Sequence, residues 1–123
     1  MIDKSAQLQK VKSRFPAFSP PVVECGPGWY QLIIDCDLEL GAIDPLYQVL
    51  QIKEEFGTLR YYFSTSDGRE HLRKKMNEVV AVYEYVSSHK CELCGDMGAK
   101  MHKNSYGWMK TVCESCKAEV YGD

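Results

Sequence analysis

The stretch Tyr47-Gln48-Val49-Leu50-Gln51-Ile52-Lys53-Glu54-Glu55-Phe56-Gly57-Thr58-Leu59-Arg60-Tyr61-Tyr62-Phe63-Ser64 decides how the rest of the chain is read. Leu50 and Ile52 alternate in its first half and Leu59, Tyr61 and Phe63 in its second, which is the period of a half-buried strand. Glu55, Phe56 and Gly57 lie between the halves, so the pattern predicts a β-hairpin with a turn of three to five residues that uses Gly57 at positive φ. Adjacent strand residues face opposite ways, so Glu54 and Glu55 beside Lys53 read as a solvated edge rather than an acid/base pair. Arg60 and Tyr62, on the face away from Tyr61 and Phe63, are candidates for a partner surface.

On both sides of the hairpin the period lengthens to that of a helix. Upstream, Trp29, Leu32, Ile33, Cys36 and Leu40 form one apolar stripe, with Gly41 expected to end it. Downstream, Leu72, Met76, Val79, Val80, Tyr83 and Val86 form a second stripe, with Asp67 and Glu70 at the spacing of an N-terminal capping box. The predicted core joins Trp29, Leu32, Ile33, Leu50, Ile52, Leu59, Tyr61, Phe63, Leu72, Met76, Val79, Val80 and Tyr83. Before it, Leu8, Val11 and Phe15 predict a short helix that Pro16 ends. Pro16, Pro20, Pro21, Gly26, Pro27 and Gly28 then predict an irregular connector. Cys25-Gly-Pro-Gly28 has the outline of a redox loop, but glycine stands where the second cysteine belongs, so a turn before the helix is expected. Cys36 reads as a small buried residue.

The last third of the chain is organised by cysteine. Cys91-Glu-Leu-Cys94 and Cys113-Glu-Ser-Cys116 are two CxxC pairs 18 residues apart, the spacing of a site for one structural Zn2+ with four thiolate ligands. His89 and His102 are alternative ligands that four well-spaced cysteines make unnecessary. Residues 97–112 between the pairs can form a hairpin turning near Asn104 to Gly107, giving a zinc ribbon of two knuckles around a β-hairpin. The expected fold is therefore α+β: helix, β-hairpin, long helix and C-terminal ribbon. The segments are 1–27 (short helix and connector), 28–88 (core) and 89–123 (ribbon).

Composition narrows the function. The chain has 123 residues, 45% of them hydrophobic, and carries a net charge of −2, enough apolar surface for one domain and no bulk attraction for phosphate. Charge is uneven: residues 21–86 hold 6 basic and 11 acidic groups, while residues 87–123 hold 5 of each. No apolar run approaches the ~18 to 20 residues of a membrane span. The start of the chain lacks an apolar export segment. A cytoplasmic protein is expected, where six cysteines point to metal rather than disulfides.

Three blocks together resemble a family of small zinc-ribbon proteins of bacterial genomes, prophages and phages. They are Gly28-Trp29 with Leu32-Ile33, then Gln51 to Phe63, then Cys91-Glu-Leu-Cys94-Gly95 with Gly107-Trp108-Met-Lys110-Thr-Val-Cys113. The resemblance spans residues 28 to 116, and it implies a zinc-bearing accessory protein of phage or prophage origin with no settled activity.

No nucleophile, base and orienting group stand at recognisable spacing, and a four-thiolate sphere is closed. The expectation is a non-enzymatic zinc protein that binds another protein and modulates or inhibits it. A nucleic-acid-binding ribbon using Lys90, Lys100, Lys103, Lys110 and Tyr106 or Trp108 is the alternative. The candidate partner surface comprises Arg60, Tyr62, Arg73, Lys103, Tyr106 and Trp108. The knuckle residues Glu92, Leu93, Glu114 and Ser115 are expected at the surface beside it.

Overall fold

The computed structural model describes residues 4–121, so the outermost residues of the two terminal segments lie outside it. Its order is α1 (Ser5–Lys12), β1 (Val23–Glu24), a 3-10 turn over Pro27–Trp29 that leads into α2 (Tyr30–Ile43), β2 (Gln48–Glu55), β3 (Thr58–Ser64), a second 3-10 turn (Glu70–Leu72), α3 (Arg73–Ser87), β4 (Lys100–Lys103), β5 (Met109–Val112) and α4 (Glu114–Tyr121). This is a mixed α+β chain. Strands β1, β2 and β3 form one sheet in that order, and β4 pairs with β5 in a second.

The apolar stripes meet as their periods require. Trp29, Ile33, Cys36 and Leu40 of the second helical stretch pack with Val49, Ile52, Leu59, Tyr61 and Phe63 of the sheet and with Met76 and Val80 of α3, all buried. Val11 and Phe15 from the N-terminal segment join the same core. Arg14 fixes them there. Its Nε donates to Asp37 Oδ1 at 2.9 Å, its Nη1 donates to the Pro45 carbonyl at 2.5 Å, and it stacks on the Tyr47 ring. Asp37 also accepts from the Tyr47 hydroxyl at 2.6 Å, so its buried carboxylate is paired, as burial of charge requires.

Leu50 is not in the core: it is 48% exposed. Val49 pairs with Phe63 but Gln51 pairs with Tyr62, so Leu50 is the extra residue of a β-bulge. One inserted residue reverses the inside/outside parity, which brings Val49 inward and turns Leu50 out. The turn is also shorter than expected. Glu55 pairs with Thr58 across a two-residue loop in which Phe56 has φ 53° and Gly57 φ 82°. Both central residues at positive φ match the right-handed twist of the strands.

Three boundaries move for local reasons. Helix α2 runs through Gly41 to Ile43. At Gly41 a Cβ would come within 2.6 Å of Arg14 Nη2, so the glycine makes room for that arginine and does not stop the helix. Asp67 caps nothing; the loop ahead of α3 is held by Asp44, which accepts from the Ser66 amide at 2.7 Å and its hydroxyl at 2.6 Å. The proline-rich connector contains β1, whose Val23 and Glu24 pair in parallel with Ile52 and Lys53. Along the opposite edge of the sheet, two side chains of α3 bond to β3: Ser87 Oγ accepts from the Leu59 amide at 2.8 Å and Glu84 from the Tyr61 amide at 3.0 Å.

Candidate metal centre and hairpin tip

The four cysteines Cys91, Cys94, Cys113 and Cys116 present sulfurs that all lie within 4.8 Å of one another. Tetrahedral metal–thiolate bonds of ~2.3 Å set sulfurs ~3.8 Å apart, and Cys94 Sγ lies 3.6 Å from Cys113 Sγ. The cluster is thus compatible with a structural metal site. Cys91 and Cys94 lie on the turn after α3, Cys113 stands just before α4 and Cys116 in its first turn, with the antiparallel β4–β5 pair between the two cysteine pairs.

The thiols respond unequally to one another. Burial opposes ionisation of Cys91, but the amides of Cys94, Cys113 and Leu93 outweigh it and bring its pKa down to about 6. At Cys94 the Asp96 amide favours the thiolate, yet burial and the neighbouring sulfurs Cys91 and Cys113 leave its pKa raised. Cys116 is pushed up chiefly by its contact with Cys113. Four sulfurs this close cannot all carry charge without a cation, which is how a thiolate cage prefers metal over protons. Cys25 and Cys36 stand apart from the cluster. Burial, with Glu92 adding to it, raises Cys25 to about 12, and burial raises Cys36 as well, so both remain thiols. His89 bonds to Ser88 Oγ at 2.9 Å. Neither it nor His102 belongs to the four-cysteine group.

Glu92 is the residue the sequence misplaces. Expected at the surface of a knuckle, it is 3% exposed. Its Oε2 accepts from the Gly26 amide at 2.9 Å and its Oε1 from Lys110 Nζ at 3.3 Å, while its carbonyl accepts from the Gly28 amide at 2.7 Å. Burial would lower the pKa of Lys110, but Glu54, 3.1 Å away, and Glu92 hold it above its ordinary value. Trp29 Nε1 donates to the Lys90 carbonyl at 2.8 Å. A Cβ on Gly28 would stand 2.1 Å from the Cys91 carbonyl oxygen and 2.6 Å from the Gly95 amide. Cys25-Gly-Pro-Gly-Trp29 is therefore the cradle on which the first cysteine loop sits.

A second contact joins the hairpins. Thr111 Oγ1 donates to the Gly57 carbonyl at 2.6 Å, and Met101 packs against the same glycine. Beyond it the tip of β4–β5 is tied by Asn104, whose Oδ1 accepts from the amides of Tyr106 at 2.9 Å and Trp108 at 3.0 Å. Tyr106 is 86% and Trp108 69% exposed. Trp108 and the exposed Phe56 line one groove of about 310 Å³ with Glu54, Glu55 and Lys110.

The six candidate surface residues thus fall in three places. Lys103, Tyr106 and Trp108 belong to the β4–β5 hairpin and Arg60 and Tyr62 to strand β3. Arg73, at the start of α3, is bonded to Glu70 and lies over the Phe63 ring. Among the described residues no helix is long and apolar enough to cross a membrane. Comparison with protein-family models, curated proteins and solved structures finds no match for this chain.

Proposed function

We propose that the protein is a non-enzymatic interaction module, built on one structural Zn2+ of the zinc-ribbon type, that presents the β4–β5 tip to another protein. The observation that carries this reading is the closed set of four cysteine sulfurs beside a tip whose aromatic side chains are exposed. Four thiolates fill tetrahedral zinc and leave no position for an activated water, so the metal's use is to fix the loops around it. The antiparallel pair between the two cysteine pairs supports the ribbon. Asn104 holds the tip loop in one shape before any partner arrives, which lowers the ordering cost of binding. Exposed tyrosine and tryptophan supply the contact area typical of interface anchors. The resemblance of the three sequence blocks to phage and prophage proteins favours a host protein as the partner, with modulation of that protein as the outcome.

Elemental analysis of protein purified without added metal is expected to give one zinc per chain; a ratio near zero in a folded preparation overturns the metal reading, and iron instead of zinc revises it. The double variant Tyr106→Ala/Trp108→Ala is expected to lose partner capture while keeping its metal and its melting temperature. Lys100 and Lys103, both exposed on the same hairpin, support a nucleic-acid partner as the second reading. Binding to labelled DNA or RNA that weakens steeply with salt would favour it, because phosphate contacts release counterions.

A further inference from the structure

The outer face of the three-stranded sheet carries a surface distinct from the hairpin tip. Its members follow from register: Gln51 lies opposite Tyr62, and Lys53 lies between Glu24 and Arg60. Alternation from the buried Ile52 and Tyr61 sends all five side chains away from the core. The bulge adds Leu50 to the same side. Val22, Leu50 and Tyr62 are 49%, 48% and 43% exposed, and with Phe15, Gln51 and Glu24 they help line a groove of about 630 Å³ between the connector and the sheet, with Arg60 on the same face outside it. The bulge that seats Val49 in the core leaves Leu50 on the solvent side, where it adds apolar surface to this groove.

The charges on this face are not evenly matched. Lys53 bonds to Glu55 at 3.0 Å and lies within the field of Glu24, so those carboxylates answer the lysine. The Arg60 guanidinium has no hydrogen-bond or ion-pair partner among the described residues, and its Nε is buried without one. With Nε buried, the two terminal nitrogens are the donors left to a ligand, and a carboxylate takes that pair side by side. A nucleic acid fits less well, because its repeated phosphates would meet Glu24 and Glu55 on the same face.

We propose that this face binds an apolar peptide segment of a partner protein carrying one carboxylate, with Arg60 receiving the carboxylate and the Val22–Leu50–Tyr62 groove receiving the apolar side chains. The test is selection of a displayed random dodecapeptide library on the full chain as purified. Enriched peptides are expected to share two apolar residues and one Asp or Glu, to bind at least tenfold more weakly to Arg60→Glu and to Leu50→Ser, and to bind Tyr106→Ala/Trp108→Ala unchanged. Replacing their acid by lysine should restore binding to Arg60→Glu, which shows that variant to be folded. In amide NMR spectra the shifts should fall on residues 22–24 and 48–64. No enrichment, peptides without an acid, or equal binding by both face variants overturns the proposal. So does a dT15 oligonucleotide, or self-association of the chain, that shifts the same amides without peptide.

Discussion

Gly28 and Phe56 show how much a single position can hold. At Gly28 any side chain would collide with backbone on the first cysteine loop, and backbone cannot swing aside as a flexible side chain can. Gly28→Ala is expected to cost about 2 to 4 kcal/mol, measured by urea unfolding, and to release metal at lower chelator concentration. Phe56 makes the opposite case. A phenylalanine at φ 53° is strained where asparagine is at home, and it is 64% exposed, so nothing in the core repays the strain. Phe56→Asn is expected to raise stability by about 1 kcal/mol in thermal unfolding. Keeping an exposed aromatic there at such a cost fits a role for Phe56 in the groove it shares with Trp108.

The elements were legible wherever one period ran without interruption. The Trp29–Leu40 and Met76–Val86 stripes and the Leu59–Phe63 alternation all pack as their spacing implies, and the cysteine spacing located the cluster. What the sequence hid were places where a distant contact overrides local grammar. Nothing near Leu50 signals a bulge, because its cause lies in the pairing with β3. Gly41 looks like a helix stop until Arg14 is seen against it, and Asp67 looks like a cap until Asp44 is found holding Ser66. Glu92 looks like surface until Gly26 and Lys110 close over it. The Asp44 contact carries its own prediction. Burial alone would raise the Asp44 carboxyl, but the Ser66 hydroxyl and amide and the Leu46 amide outweigh it and hold the pKa below the ordinary value. Its contribution is therefore complete above the unfolded value near 3.9 and is lost as pH falls through the lower folded value. Asp44→Ala should destabilise by about 1 to 3 kcal/mol at pH 7, and the gap from the parent protein should close below about pH 4 in denaturant titrations.

The molecule as a whole is two cores joined by polar welds. The larger holds α2, α3 and the first sheet, and the smaller holds Cys91, Ala99, Val112 and Cys116. So small a cluster has little apolar surface with which to order its loops, and the proposed Zn2+, bound with about 10 to 16 kcal/mol, would supply most of what they need. Chelation should therefore strip amide-exchange protection from residues 90–119 while α2 and α3 keep theirs. Trp29 emission should shift at the same time, because its indole donates to Lys90 at the seam. Loss of protection throughout the chain would show that the two cores fold as one unit. The bonds from Ser87 and Glu84 to strand β3 reach further than stability. A free strand edge is a template on which an identical chain can add its own strand, and repeated addition builds fibrils. Here side-chain oxygens of helix α3 occupy the Leu59 and Tyr61 amides of that template, so a chain crowded at high concentration must displace α3 before it can pair along this part of β3.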